Sequence, residues 1–489
     1  MPPETRFSRS RTGCLQCRKK HYKCDEKRPA CSFCSLRRLN CQWPSGIKWF
    51  QPKEPVSSQR DRRTVRCVDN ALSSRLPSLL GDHPFDSEEA KCAWEYYVQL
   101  VSSNVPALDG PDNPYRQLSF AALSSPVLLE TIVCIATEHM LNFGLGSIPT
   151  AAQRQQRMLR TIGQNLRMVD AGAARETGRV ASAHVPEYEA LLIAVVLQGV
   201  VVAQSEDGVL EPHIRCAAYL MESLDLFDQI PHSPLTRMAV QRFAMVDVML
   251  AFSRQRRPYA PRRFVLYKPD ADRWDGTEPS FHKMTGCPQP LMCLFARIVH
   301  LARDTEERLG CAASINDLLS EAYRLEDDLR AWGVRYTRMD PTGCVRPPLD
   351  VLSECFYWTA HLLLARRVFR DPTRCPRVQH LTHTCFVLMD QLFTGCGPDS
   401  SLPQPFYLAA REAVTVEDRA WVQQKHASMT AYYREQQRNL AMRLTERVWE
   451  VTDELPSVDN VPALSPGSAM SSADEQIQTL DRQARLFIF

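Results

Sequence analysis

Six cysteines lie within 28 residues near the start of the chain, at positions that could hold metal. The spacing C-x2-C-x6-C occurs twice, displaced by 17 residues, in Cys14, Cys17, Cys24, Cys31, Cys34 and Cys41. A C-x2-C turn can point two thiolates at one ion, and zinc takes four ligands in tetrahedral geometry. In a reducing compartment such a group favours a metal site over disulfides.

The number of thiolates indicates how many ions this cluster holds. One tetrahedral ion would leave two of the six thiolates over. If one thiolate from each half bridges two ions, the six sulfur atoms supply the eight contacts that two tetrahedral ions require. The sequence therefore predicts a binuclear zinc site with two Zn²⁺ per chain. A different zinc fold or a thiolate metal store is the alternative, but a metal store would not need basic residues between its ligands.

Basic residues fill the gaps between the cysteines. The DNA-contacting candidates are Arg18, Lys19, Lys20, His21 and Lys23 in the first half, and Arg37 and Arg38 in the second. Phosphate contacts require positive charge, and base reading requires a rigid presenting element, which metal at both ends supplies. We therefore predict binding to double-stranded DNA. A solvated basic face without a partner is the alternative.

These residues resemble the fungal binuclear zinc-cluster transcription factors. The similarity includes the six cysteine spacings, the basic run, Asp25 after the third cysteine and Pro29 two residues before the fourth. The resemblance implies that Cys14 and Cys31 bridge the two ions. It also implies a short helix after each C-x2-C turn, the first of which enters the major groove. The remaining ligands it implies are Cys17 and Cys24 for one ion, and Cys34 and Cys41 for the other.

The resemblance also implies a class of DNA sequence. Relatives that read CGG triplets have a lysine four residues after the second cysteine, where this chain has His21. A CGG-like half-site is therefore the expectation, although the base-reading side chain differs.

Length and charge place this head in a larger protein. A chain of 489 residues exceeds the size of a single core, so more than one domain is expected. Residues 1–50 contain twelve Lys and Arg against three Asp and Glu, whereas the remainder contains 47 against 53. A basic head on a mildly acidic body suggests a polyanionic partner. No apolar segment follows the N-terminal charges, and the apolar run 190–203 is too short to span a bilayer, so we expect no membrane association.

The chain divides into four segments by composition. They are predicted to be a zinc-cluster DNA-binding domain (1–50), a basic flexible linker (51–82), an all-α regulatory domain (83–455) and a flexible tail with a short C-terminal helix (456–489). Leu72, Leu76 and Leu79 make barely one heptad, which Pro77 interrupts, so no coiled coil is predicted. Linker arginines could extend phosphate contact or serve nuclear import.

Helical periodicity dominates the large segment. Helices are predicted over 86–101, 124–141, 186–203, 236–253, 287–309, 314–332, 350–370, 378–393 and, as one long helix, 416–450. Residues 285–302 and 405–424 resemble the fungal-specific regulatory domain, with Ala410 where glycine is frequent. In the tail, Ile477, Leu480, Ala484 and Phe487 share one helix face, which could dock on the core or on a coactivator.

No enzyme motif accompanies these features, since G-x-S-x-G, H-E-x-x-H, G-x-G-x-x-G and phosphate-loop patterns are missing. His380, His383 and Cys385 are close in sequence, but no fourth metal ligand is identifiable. The sequence predicts a nuclear, non-enzymatic regulator of RNA polymerase II transcription that acts with the transcription machinery or coregulators and could form a homodimer through its helical domain. A zinc-stabilised interaction protein that does not contact DNA is the alternative.

Overall fold

The computed structural model describes residues 14–19, 24–25, 30–37, 39–41, 85–173, 184–203, 210–268, 280–308, 312–336, 346–454, 476–477 and 479. The chain divides into two compact units, Met1–Leu76 and Pro77–Phe489. Within the described residues there are helices and turns but no strand. The predicted fold class, a small cysteine-rich unit with two short helices and a large all-α unit, is therefore confirmed.

The first unit contains α1 (Leu15–Lys19) and α2 (Ser32–Leu36). In the second unit the helices are α3 (Glu88–Tyr96), α4 (Ser102–Asn104), α5 (Pro114–Ala121), α6 (Pro126–Asn142), α7 (Ile148–Ala173), α8 (Val185–Ala203), α9 (Glu211–Ser223), α10 (Pro234–Arg254), α11 (Phe281–Thr285), α12 (Gln289–Arg308), α13 (Ala312–Tyr336), α14 (Pro348–Leu363), α15 (Pro376–Asp390), α16 (Pro403–Ala410), α17 (Val416–Tyr433) and α18 (Gln436–Asp453). Short π-helical stretches continue α3 over Tyr97–Val101 and α14 over Leu364–Phe369.

Helix α10 runs through the core of the large unit. Every residue from Thr236 to Phe252 is buried, and helices α5, α8, α9, α11 and α12 pack against it. Charged side chains on such a helix require partners, because an unpaired buried charge is costly. Arg242 accordingly donates to the Tyr115 hydroxyl over 3.1 Å. The predicted helix over 236–253 is thus the central element of the domain.

The apolar run 190–203 forms the second half of α8, and its residues from Leu191 to Leu197 are buried in the same core. This agrees with the prediction of a buried helix. None of the described helices combines the length and apolarity that a membrane crossing requires.

Side-chain caps start several helices where the sequence suggested them. The predicted cap at Asp86 or Ser87 is Ser87, whose hydroxyl accepts from the Ala90 N–H over 3.2 Å. Asp86 instead pairs with Arg154 over 3.3 Å. A capping hydroxyl satisfies one of the N–H groups that the first helical turn leaves unpaired.

The single long helix predicted over 416–450 is wrong. Two helices, α17 and α18, are separated by Arg434, which has a left-handed backbone with φ 56°. Periodicity alone did not reveal this turn, because neither Gly nor Pro marks it. Its tertiary partners do: Arg438 is almost fully buried, donates to Glu435 over 2.6 Å and lies over the Tyr433 ring. The turn lets α18 pack on α16 and α17.

The predicted domain boundaries at 50, 82 and 455 lie outside the described residues and stay predictions, as does most of the linker and tail. Within the tail, Ile477 is buried against Val448 and Val451 of α18. This contact places one residue of the predicted C-terminal helix on the helical unit.

Candidate metal centre and nucleic-acid interface

The structure brings all six cysteines of the first unit together. Five of them are buried and Cys41 is half-buried. Their Sγ atoms form two groups of four, within each of which all atoms lie within 4.8 Å of one another. The first group is Cys14, Cys17, Cys24 and Cys31, and the second is Cys14, Cys31, Cys34 and Cys41. Cys14 and Cys31 belong to both groups, which is the arrangement that the resemblance implied.

The distances between these sulfur atoms fit zinc. The Sγ atom of Cys14 lies 3.7 Å from that of Cys31 and 3.6 Å from that of Cys34. Cys17 Sγ lies 3.6 Å from Cys31 Sγ. A tetrahedral ion with Zn–S bonds of about 2.3 Å separates its sulfur ligands by about 3.8 Å. The six sulfur atoms therefore have the spacing of two tetrahedra that share the edge from Cys14 to Cys31.

Each half builds its ligand pair on the first turn of a short helix. The Cys17 N–H donates to Cys14 Sγ over 3.4 Å, and the Cys34 N–H donates to Cys31 Sγ over the same distance. Cys31 is thus the N-cap of α2, with an extended backbone. The unpaired N–H groups and dipole at a helix start stabilise a thiolate. Each helix therefore starts after the first cysteine of its pair, not after the second as expected.

The third cysteine of each half returns to the first. The Cys14 N–H donates to Cys24 Sγ over 3.4 Å, and the Cys31 N–H donates to Cys41 Sγ over 3.3 Å. The 17-residue sequence repeat is therefore also a repeat of hydrogen bonds. N–H donors to sulfur stabilise the charge of a ligating thiolate.

Asp25 links the two halves directly. Its carboxylate accepts from the Ser32 N–H over 3.1 Å and from the Ser32 hydroxyl over 2.5 Å. Since Ser32 is the first residue of α2, this contact orients the second half against the end of the first. The sequence analysis noted Asp25 only for its position after the third cysteine. Its bond to a serine next to a ligand could not be seen from spacing.

The electrostatic environment separates the two shared sulfur atoms from their neighbours. Burial raises the pKa of the Cys14 thiol, but hydrogen bonds from the Cys17 N–H and from neighbouring thiols outweigh it and lower this pKa overall. The same balance, with the Cys34 N–H as donor, lowers the pKa of Cys31. Burial raises the pKa of Cys34 to about 12 and that of Cys17 still further. Cys14 and Cys31 thus favour the thiolate form that metal ligation needs.

The described basic side chains lie on the surface of the first unit. Lys19 is exposed at the end of α1, and Arg37 is exposed at the end of α2 with its guanidinium carbon 5.3 Å from the centroid of the Phe33 ring. Arg18 lies within α1. The other predicted DNA-contacting residues, Lys20, His21, Lys23 and Arg38, lie outside the described residues.

A second metal site at the histidines of α15 finds no support. His380 is exposed, His383 Nδ1 lies 3.3 Å from a carboxylate oxygen of Asp418, and Cys385 is buried. In the part of the chain that the structure describes, only the cysteine cluster unites three or more residues able to hold an ion.

Family models match both units. The fungal Zn(2)-Cys(6) binuclear cluster domain matches residues 12–49, and the fungal specific transcription factor domain matches residues 93–461. The first of these domains binds two zinc ions, in agreement with the two groups of sulfur atoms. A search of solved structures returned no match.

Curated relatives match shorter parts of the chain. The transcription factor lfc1 of Flammulina velutipes is 49% identical over 79 residues, 16% of this chain and 25% of that protein. The zinc cluster transcription factor CZF1 of Candida albicans is 56% identical over 73 residues, 15% of this chain and 18% of that protein. The aspercryptin biosynthesis cluster-specific transcription regulator atnN of Emericella nidulans is 38% identical over 117 residues, 22% of this chain and 19% of that protein.

The matched parts cover a quarter or less of the length of these three relatives, and all three names are those of transcription regulators rather than enzymes. The family model that matches most of the chain carries the assignment. The chain therefore belongs to the fungal zinc-cluster transcription factors and is a transcription regulator with an N-terminal zinc-dependent DNA-binding domain.

Proposed function

We propose that this protein is a nuclear regulator of RNA polymerase II transcription that binds specific DNA sequences through its cysteine cluster. The observation that carries the proposal is the pair of four-sulfur groups that share Cys14 and Cys31. Two ions there would bridge α1 and α2 and hold both helices rigidly, although a unit of this size has little core of its own. The exposed cations Lys19 and Arg37 would then be presented from a fixed frame.

The ligand roles follow the two groups. Cys14 and Cys31 hold both ions, Cys17 and Cys24 complete one ion, and Cys34 and Cys41 complete the other. We assign the DNA contacts to Arg18, Lys19, Lys20, His21, Lys23, Arg37 and Arg38. The first helix reads bases in the major groove, and the second supplies phosphate contacts.

The half-site is proposed to be CGG-like. Selection of binding sites from random DNA with the zinc-loaded full chain tests this directly. A CGG triplet enriched by the wild type and retained by His21→Lys is the expected result, because lysine is the residue of CGG-reading relatives at this position. Enrichment of an unrelated triplet by both proteins would contradict the assignment.

The helical unit is proposed to provide the remaining functions of a regulator. It would contact the transcription machinery or coregulators and bring two chains together as a homodimer, because no coiled coil is predicted after the cluster. Sedimentation equilibrium of the full chain measures this association. A monomer at all concentrations up to those used for DNA binding would exclude it.

A salt titration separates DNA contact from mere zinc-stabilised folding. Each phosphate contact contributes roughly 0.9 to the negative slope of log affinity against log salt concentration. We expect Lys19→Ala and Arg37→Ala each to reduce this slope by about one unit while leaving the selected sequence unchanged. Arg324→Ala is the charge-matched control, since Arg324 is an exposed arginine of the helical unit. Fluorescence anisotropy with labelled duplex measures all four proteins.

The alternative, an interaction protein that does not contact DNA, predicts no saturable binding by the zinc-loaded protein to any selected duplex. An affinity that is independent of salt, or a slope that falls equally in the Arg324→Ala control, would also count against the proposed phosphate contacts.

A further inference from the structure

The helical unit contains a cationic cavity of about 570 Å³ that DNA binding does not use. Its walls are the turn that follows α10 and the last two turns of α12. The residues that matter for its chemistry are Arg257, Tyr259, Arg262, His300, Asp304 and Arg308.

One wall is a single face of α12. His300, Asp304 and Arg308 are spaced four residues apart, and residues at that spacing lie above one another on a helix. The face therefore presents an imidazole, a carboxylate and a guanidinium in a row toward the same cavity.

The facing wall is held in place by a buried network. Asp247 of α10 is fully buried and accepts from the Ala260 N–H over 2.8 Å and from the Arg256 guanidinium over 3.3 Å. Glu211 accepts from Arg256 over 2.8 Å and from the Tyr259 hydroxyl over 2.9 Å. The segment that carries Arg257 and Arg262 is therefore preorganised, and a ligand would not have to order it.

Positive charge exceeds negative charge in the cavity. Asp304 accepts from Arg257 and from Arg262, each over 2.7 Å, and Glu307 accepts from Arg257 over the same distance. Even with Glu307 counted, two carboxylates face three guanidinium groups. No ion pair joins Arg308 to another residue within the described part of the chain. The site therefore has a free cation with the planar geometry that pairs with carboxylate or phosphate.

His300 provides a second, independent observation. Its side chain is only 7% exposed, and neither ring nitrogen has a hydrogen-bond partner among the described residues. Burial, together with the positive charges of Arg262 and Arg257, lowers the pKa of His300 to about 4. The imidazole is thus neutral near pH 7 and offers one N–H donor and one acceptor. Buried polar groups in native proteins nearly always have partners, so this pair indicates a missing one.

We infer that this cavity binds a small organic oxyanion, a phosphate ester or a carboxylate. Its anionic group pairs with Arg308 and with unused donors of Arg257 and Arg262, and it accepts the N–H of His300. A hydroxyl on the ligand can donate to the other ring nitrogen. The volume lies in the range of small-molecule sites and leaves room for an organic body beyond the anionic group. This site gives the regulator a small-molecule ligand, which its DNA-binding role does not require.

Titration calorimetry on the zinc-loaded full chain tests the inference with three probes: glucose 6-phosphate, succinate and inorganic phosphate. Sodium chloride keeps the ionic strength constant. Saturable one-to-one binding of at least one probe is expected, and the probe bound most tightly tells whether the anionic group is an ester, a carboxylate or the free ion. Arg308→Gln and Arg262→Gln should each weaken it at least roughly tenfold, because each removes a guanidinium contact to the anion.

His300→Leu distinguishes a ligand group from a structural one. Replacing an unpartnered buried imidazole by an apolar side chain of similar size should leave the thermal midpoint unchanged or raise it, whereas binding should weaken roughly tenfold. Arg324→Gln on the exposed face of α13 is the matched control and should bind as the wild type does. The inference is overturned if no probe binds, if binding is the same in all variants, or if Arg324→Gln weakens it equally. Arg262 is largely exposed, so its substitution does not threaten folding.

Discussion

Loss of a shared cysteine should release both zinc ions, whereas loss of an unshared one should release only one. Cys31 belongs to both four-sulfur groups, and Cys41 belongs to one. Structural zinc sites of small peptides bind with about 10–16 kcal/mol per ion, or roughly 3 kcal/mol for each of four sulfur ligands. Cys41→Ala should therefore weaken one ion by roughly 3 kcal/mol, about a hundredfold in affinity. Cys31→Ala should weaken both ions by that amount.

A chelator at a concentration that leaves the wild type loaded reads out this difference. After equilibration and desalting, mass spectrometry should find two zinc ions in the wild type, about one in Cys41→Ala and about none in Cys31→Ala, as expected when each ion has four sulfur ligands. Cys396→Ala is the control, because Cys396 is half-buried in the helical unit, outside the cluster. Equal zinc content in Cys31→Ala and Cys41→Ala would refute the shared-ligand geometry, as would a wild type that saturates at one ion.

Two further predictions concern the helical unit. Gly286 ends α11 with φ 78°, and an added Cβ would lie 2.5 Å from Leu352 Cδ2, so Gly286→Ala should lower the free energy of unfolding by about 2–4 kcal/mol. Gly163→Ala in α7 meets no atom within 4 Å and should raise it by about 0.5–1 kcal/mol, and urea unfolding in which the two changes have the same sign would contradict this. Burial lowers the pKa of His361 to about 4, so below about pH 6.5 the unfolded chain takes up a proton that the folded chain refuses. Between about pH 6.5 and 4 the wild type should lose roughly 1.4 kcal/mol per pH unit more than His361→Leu does, with no such difference above pH 7, and parallel pH profiles would disprove it.

Local patterns predicted most of the helices but not where they end. The central helix over 236–253 and the buried run 190–203 were read from apolar periodicity and are α10 and α8. Helix α7 was not predicted, because only a few of its apolar residues, among them Ala151, Met158 and Ile162, are buried along a polar, glutamine-rich sequence. The break at Arg434 was missed because the residues that favour it, including the buried Arg438, act through tertiary packing.

The metal centre was determined by the sequence itself. Its six ligands lie within 28 residues, and their spacing leaves the sulfur atoms few arrangements once a tetrahedral ion is required. The two-residue gap within each pair matches one helical turn, so that the first cysteine caps the helix that carries the second. Local geometry was sufficient to predict a binuclear cluster.

The cationic cavity was decided only by the tertiary structure. Arg257 and Arg262 lie about 40 residues from His300 and Arg308, and each pair taken alone resembles an ordinary charged surface. The packing of α10 against α12 and the buried Asp247 bring them together. Spacing along the chain predicts contacts within a turn or a helix, but a site assembled from two distant segments depends on how the core between them packs.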